Sequence, residues 1–215
     1  MKILKGCEEL VCFEPMEQIL MDEGFVSVCG VDEAGRGPLA GPVYAASVIL
    51  KPNCNLEGLN DSKKLSEKKR EVLFDKIINE AVAYKIVSVD AKTIDEINIL
   101  NATMFAMKTA VEGLETAADY ALIDGNKTPD LNIKSSFVIG GDAKVKSIAA
   151  ASILAKVSRD RYMLDMAEKY PQYQFEKHKG YGTKLHYEML DKYGISDIHR
   201  MSFLKKYIEA QKNEH

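Results

Sequence analysis

The sequence predicts an α/β fold built as one domain, on three observations. Strand-length apolar runs alternate along the chain with segments whose apolar residues recur every three or four positions. At 215 residues and 24.0 kDa, the chain can bury one sizeable core. No internal repeat, low-complexity tract or Pro/Gly/Ser-rich linker divides it.

In chain order, residues 7 to 23 carry Leu10, Val11, Phe13, Met16, Ile19 and Leu20 in an amphipathic pattern that Pro15 interrupts. This predicts a short helical extension over residues 1–25, packed outside the sheet, ahead of a domain over 26–215. Phe25 to Val31 reads as a buried strand that delivers the adjacent carboxylates of Asp32 and Glu33. Strand side chains alternate between faces, so a twist or bulge is expected if both are to reach one site. Gly35 and Gly37 permit such a break and let the backbone approach a ligand closely. Arg36 between them adds a forked donor suited to phosphate. Val43 to Leu50 is a second strand, and Pro52 to Gly58 a turn.

Ser66 is a good N-cap for a helix whose core face is Val72, Leu73, Ile77 and Ile78. Lys63, Lys64, Lys68, Lys69 and Arg70 around it read either as a solvated face or, for Lys63 and Lys64, as a path for phosphates. Ala81 to Val89 is a third strand. Thr93 to Glu96 forms a capping box for a long helix with a stripe of Ile97, Leu100, Met104, Met107, Val111 and Leu114. Asn98 and Asn101 interrupt that pattern as exposed polar residues.

Tyr120 to Asp124 is an apolar strand ending on a carboxylate and a glycine turn. Ligands of open α/β sheets gather beyond the carboxyl ends of strands, which favours Asp124 as a site residue, although strand-end Asp-Gly is also a routine turn. Phe137 to Ile139 is a further short strand. Asp142 then opens a helix running to about Lys169, where on composition it reads as an N-cap. The small residues Ala149 to Ser152 let that helix approach the sheet. Asp160 is a competing carboxylate, but Lys156, Arg159 and Arg161 around it suggest an ion-paired surface. Lys177 to His186 is basic with Tyr181 at its centre, flanked by glycines that leave the ring free to stack on a sugar or base. A helix over about 202–211 ends the chain.

Composition narrows the function classes. A net charge of −3 does not announce a nucleic-acid binder, so any such surface must be local. Cys7, Cys12, Cys29 and Cys54 form no CxxC pair and no zinc spacing with histidine, which fits a reducing compartment. The N-terminus lacks the apolar core of a signal peptide and no run is long enough to span a bilayer, so the cytoplasm is expected. The glycines at 35, 37 and 41 do not match a dinucleotide loop, because a strand follows them. Gly141 to Ser147 lacks the second glycine of a phosphate-binding loop. The histidines form no defensible nucleophile–base pair.

The segment from Asp32 to Val43 resembles the first motif of the bacterial type 2 ribonuclease H family (ribonuclease HII). The resemblance continues through Asp61–Ser66, Ile97–Leu100, Leu122–Gly125, Gly141–Asp142 with Ser147–Lys156, Lys179–Lys184 and His199–Phe203. The blocks follow the family order over about residues 26–205. It implies a ribonuclease H-like fold, a mixed β-sheet flanked by helices. It also implies one acidic cluster of Asp32, Glu33, Asp124 and Asp142 holding two Mg²⁺ or Mn²⁺ ions. The implied activity cuts the RNA strand of RNA–DNA hybrids and incises 5′ to single ribonucleotides in duplex DNA, leaving 3′-hydroxyl and 5′-phosphate ends. Gly35, Arg36, Gly37 and Tyr181 are the implied readers of the ribonucleotide, and Lys63, Lys64, Lys144, Lys156 and Lys184 candidate phosphate contacts. Two alternatives are a type 3 ribonuclease H and an inactive hybrid-binding module of the same fold. The glycine loop and short extension favour type 2, and the presence of all four carboxylates favours an enzyme. Nucleic acid is the expected partner of a monomer, and the tail from Gln211 to His215 lacks a clamp-binding peptide.

Overall fold

The computed structural model describes residues 15–52, 54–59, 62 and 65–213. Residues 1–14, Lys63, Lys64 and the last two residues of the tail lie outside it, so the reading of 7–14 as helical and of Lys63 and Lys64 as phosphate contacts falls outside the described residues.

Five strands form one mixed sheet in the order β3-β2-β1-β4-β5. They are β1 (Val28–Ala34), β2 (Val43–Leu50), β3 (Ala81–Val89), β4 (Tyr120–Asp124) and β5 (Lys134–Val138). β2 runs antiparallel to β1 and β3, while β4 runs parallel to β1 and β5. The expected ribonuclease H-like mixed sheet is what the chain forms, with β2, β3 and β4 at their predicted bounds. β1 runs three residues further than expected, so Asp32 and Glu33 lie inside the strand. The expected bulge is absent there: Asp32 pairs with Ala46 and Glu33 with Ala45 in unbroken register. The strand simply ends one residue after Glu33, at Gly35, whose φ of +94° favours glycine.

Long helices cover both faces. On one face α3 (Ala91–Glu112) buries Ala102, Ala106 and Met107 against Cys29, Val31 and Ile123. Cys29 is the buried apolar cysteine the sequence suggested; burial pushes its thiol up to about 11. On the other face α4 (Lys146–Lys169) lays Ala149, Ala150 and Ala151 on Ala46 and Val48, with Leu73, Phe74 and Ile77 of α2 (Glu67–Glu80) completing the layer. Ser66 caps α2 through Lys69 N–H as expected. Closest approach is at Gly30, where an added Cβ would stand 2.2 Å from the Ser147 carbonyl carbon and 2.3 Å from the Ile148 nitrogen.

Three helix starts differ from expectation. α3 begins at Ala91, because Asp90 accepts the Thr93 N–H and caps the helix before the expected capping box. Asn98 sits inside α3 at φ +64°, and its side chain accepts the Asn101 N–H, so it kinks the helix and caps the second half. Asp142 does not cap α4. It lies in a 3₁₀ turn (Gly141–Ala143), and α4 starts four residues later behind Val145. One free donor of that helix end is met from outside: Glu17, on α1 (Met16–Asp22), accepts from the Ser147 N–H at 2.9 Å and also from its hydroxyl at 2.8 Å. Glu17 thereby ties α1 to the start of α4.

After α4 come α5 (Phe175–His178), α6 (Lys184–Tyr193) and α7 (Lys205–Asn213), packed around Tyr173, Phe175, Leu190 and Leu204. Among the described residues no helix is long and apolar enough to cross a membrane.

Candidate active site

The site forms where β1 and β4 end side by side. Their last paired residues are Val31 and Ile123, so Asp32 and Asp124 follow as neighbours on adjacent strands. By alternation both point to the face covered by α4. Asp32 is buried, accepts the Glu33 N–H at 2.7 Å and is hydrogen-bonded by the Ser152 hydroxyl of α4. Ser152 is in turn 2.9 Å from the buried Ser62 hydroxyl. Asp124 accepts the Gly141 N–H at 2.6 Å, which places the turn bearing the buried Asp142 directly beside it. A Cβ on Gly141 would lie 2.6 Å from Ile148 and 3.3 Å from the Asp124 carboxylate, so this approach requires glycine.

Electrostatically the site is under strain. Burial, and then the charges of Glu33 and Asp124, hold the Asp32 carboxyl well above the usual carboxylate range. Burial also raises Glu33, opposed by the Arg36 guanidinium 3.3 Å away and reinforced by Asp124. Three of the four expected acids thus interact, and the fourth is joined to them through the Gly141–Asp124 hydrogen bond.

Beyond Glu33 the loop from Gly35 to Pro42 is gripped by two buried arginines. Arg200 donates to the carbonyls of Gly35 (2.6 Å), Arg36 (2.9 Å) and Gly41 (2.9 Å). Arg159 donates to those of Ala40 (3.2 Å), Pro42 (3.3 Å) and Lys179 (2.9 Å). The carbonyls of Gly35, Arg36, Ala40, Gly41 and Pro42 are thereby engaged, while Arg36 and Gly37 form an exposed rim. Tyr181 lies over this rim. Its ring, 44% exposed, would be 3.9 Å from a Cβ on Gly37 and 5.6 Å from the Arg159 guanidinium. The predicted glycine loop and predicted tyrosine are therefore neighbours, though 144 positions separate residues 37 and 181.

The family model described as Ribonuclease HII matches residues 29–206. The chain belongs to the ribonuclease HII family. A relative carrying that name in Caldicellulosiruptor bescii is 58% identical over 193 residues, covering 90% of this chain and 94% of its own. The crystal structure of ribonuclease H2 from Pyrococcus horikoshii superposes with a TM-score of 0.71 at 29% identity, covering 86% of this chain and 98% of that one. Ribonuclease H3 from Aquifex aeolicus matches at a TM-score of 0.57 and 17% identity, covering 88% and 79%, a likeness of fold alone. The chain is accordingly a ribonuclease H, a hydrolase that cuts nucleic acid internally, and type 2 is the family that its sequence matches.

Within this ribonuclease HII the lysine candidates fare unequally. Lys144 is exposed on the segment between Asp142 and α4, and Lys184 is exposed with only a loose 3.7 Å contact to Glu188. Lys156 is committed elsewhere, to Asp160 at 2.6 Å. Asp160 is buried between α4 and α2 and also faces Arg70 at 3.8 Å, so its ion pairs lie in an interface and not on the surface expected. Arg159 and Arg70 are likewise internal, and Arg70 donates to the Ser62 and Leu65 carbonyls. His178 and His186, which sit within the basic segment, are buried. Sequence reasoning missed Ser62, Ser152, Arg159 and Arg200 as supports of the site. Ser152 had a legible signal, since it stands one turn along the small-residue face that packs under Asp32.

The donor set fits a hard divalent cation. All four acids supply oxygen, and the Arg36 guanidinium opposes the rise of Glu33. As placed, no three carboxylate, imidazole or thiolate groups among the described residues are drawn together at metal-holding distance.

Proposed function

We propose that this ribonuclease HII hydrolyses the RNA strand of RNA–DNA hybrids and incises duplex DNA 5′ to a single ribonucleotide, leaving 3′-hydroxyl and 5′-phosphate ends. Asp32, Glu33, Asp124 and Asp142 would hold Mg²⁺ or Mn²⁺. The observation that supports this most strongly is that β1 and β4 end side by side, so that the charges of Asp32, Glu33 and Asp124 act on one another beside a glycine loop that Tyr181 overhangs. When bound, paired divalent ions would supply an activated water and stabilise the departing 3′-oxygen.

The chain's own residues do the rest. Burial and the charges of Glu33 and Asp124 hold the Asp32 carboxyl above the usual range, and a cation held by the four acids would offset that repulsion. Arg36 keeps Glu33 oriented through one donor and retains others for a phosphate oxygen. The backbone N–H groups of Arg36 and Gly37 meet an acceptor oxygen, and the 2′-hydroxyl is the group that tells a ribonucleotide from DNA. Tyr181 packs on the adjoining sugar.

The test is incubation with Mg²⁺ and an end-labelled duplex carrying one ribonucleotide. A single nick 5′ to it, with a ligatable 5′-phosphate on the released fragment, supports the reading; an intact duplex, or cutting indifferent to the ribonucleotide, refutes it. Tyr181→Ala should lower kcat/KM on that substrate about tenfold more than on a long hybrid, in the range of one lost ring–nucleotide contact. Equal losses on both substrates would remove Tyr181 from the discrimination.

A further inference from the structure

Behind Tyr181 the buried His199 and His186 form a hydrogen-bonded chain with one possible arrangement of protons, and a third buried histidine, His178, stacks on it. The Ser196 N–H donates to Nδ1 of His199 at 3.0 Å, so that nitrogen carries a lone pair. The Ser196 hydroxyl lies 2.8 Å from the same nitrogen. Nε2 of His199 is 3.0 Å from Nε2 of His186, a separation that needs one donor and one acceptor. Were His199 the acceptor there, it would have lone pairs on both nitrogens, an imidazolate. His199 is therefore the donor and His186 Nε2 the acceptor. Nδ1 of His186 faces the Tyr181 carbonyl at 3.0 Å, and a carbonyl only accepts, so Nδ1 holds the proton. His178 stacks on His186 with centroids 4.3 Å apart and accepts the Gly180 N–H on its own Nδ1. The Tyr181 N–H is bonded to the His178 carbonyl, and the Tyr181 carbonyl also accepts the Thr183 N–H at 2.8 Å, so the backbone of this residue is held on both sides.

We infer that His186 is a positioning residue for ribonucleotide discrimination, oriented by Ser196 and His199 and holding Tyr181 over Gly37 through its Nδ1–H. This rests on the reading of Tyr181 given above. Burial supports the neutral state that the chain of donors requires: it pushes both His186 and His199 down to about 4, with His178 and, for His186, also His199 adding to the depression. The imidazoles thus stay uncharged at neutral pH, and the direction of each bond does not change.

Two conservative variants separate the halves of His186. In His186→Asn the amide nitrogen stands near Nδ1, so the donor to Tyr181 survives and the acceptor for His199 is lost. In His186→Gln the amide stands near Nε2, so the reverse holds. His186→Asn leaves the His199 Nε2–H unpaired, whereas in His186→Gln the Tyr181 carbonyl keeps the Thr183 N–H at 2.8 Å, so His186→Gln should be the less destabilised of the two. The chain contains no tryptophan, and Tyr181→Trp therefore introduces a single fluorescent reporter of this position. In that background His186→Gln should increase acrylamide quenching and His186→Asn should not. With tyrosine restored, His186→Gln should lower the ratio of kcat/KM on a single embedded ribonucleotide to that on a long hybrid about fivefold, the worth of one positioning hydrogen bond. His186→Asn should keep the ratio. Unchanged quenching in His186→Gln, or equal increases in both variants, overturns the inference. If quenching follows the expectation but Tyr181→Ala loses equally on both substrates, the positioning stands and the role assigned to Tyr181 fails.

Discussion

Asp124→Asn is expected to lower strand cleavage by more than about 100-fold while leaving the protein folded. Loss of a group that merely supports a metal ligand typically costs 10- to 100-fold, and Asp124 is proposed as a ligand itself. The substitution is nearly isosteric, and the amide oxygen can still accept the Gly141 N–H that fixes the neighbouring turn. It also removes a charge that faces Asp32 and Glu33 and raises both. The melting temperature of the metal-free variant should therefore match or exceed that of the parent. Thermal melts and single-turnover cleavage, measured side by side, check both halves. Activity within tenfold of the parent would take Asp124 out of the reaction, and a collapsed melt would show that its role is structural.

Gly30→Ala is expected to destabilise the protein by more than the roughly 1–3 kcal/mol of ordinary overpacking. The added methyl would meet backbone atoms of Ser147 and Ile148 at 2.2 and 2.3 Å, and neither can rotate away as a side-chain tip could. Relief requires moving the start of α4. That start follows directly on the Asp142 turn, and Ser152, further along the same helix, touches Asp32. A folded Gly30→Ala protein should thus lose cleavage activity as well as stability, although residue 30 is two positions from the nearest carboxylate. Urea melts read the first effect; a loss below about 1 kcal/mol would mean that α4 does not sit this tightly on β1.

Much of this architecture was legible in the residues. β2, β3 and β4 are dense runs of apolar and β-branched side chains, and their bounds follow from composition. The acids were legible by type and by their places at strand ends. Partnership was not, because no periodicity relates Asp32 to Asp124, and the parallel pairing of β1 with β4 depends on the whole sheet. Asp142 misled for a physical reason. Aspartate before a helix is ordinarily its cap, but here Glu17 accepts the Ser147 N–H of α4 from 130 residues upstream. Arg159, Arg200 and the histidines were likewise hidden: by composition they are surface cations, and only the fold shows them bonded to backbone carbonyls and to one another in the interior.

The central claim, that Asp32, Glu33, Asp124 and Asp142 grip paired divalent cations, is tested most directly by anomalous diffraction from crystals soaked in Mn²⁺. Two manganese peaks about 4 Å apart, bounded by these four carboxylates and lost in Asp124→Asn, are the expected result. Peaks elsewhere on the molecule, or a site that Asp142 does not touch, would contradict it.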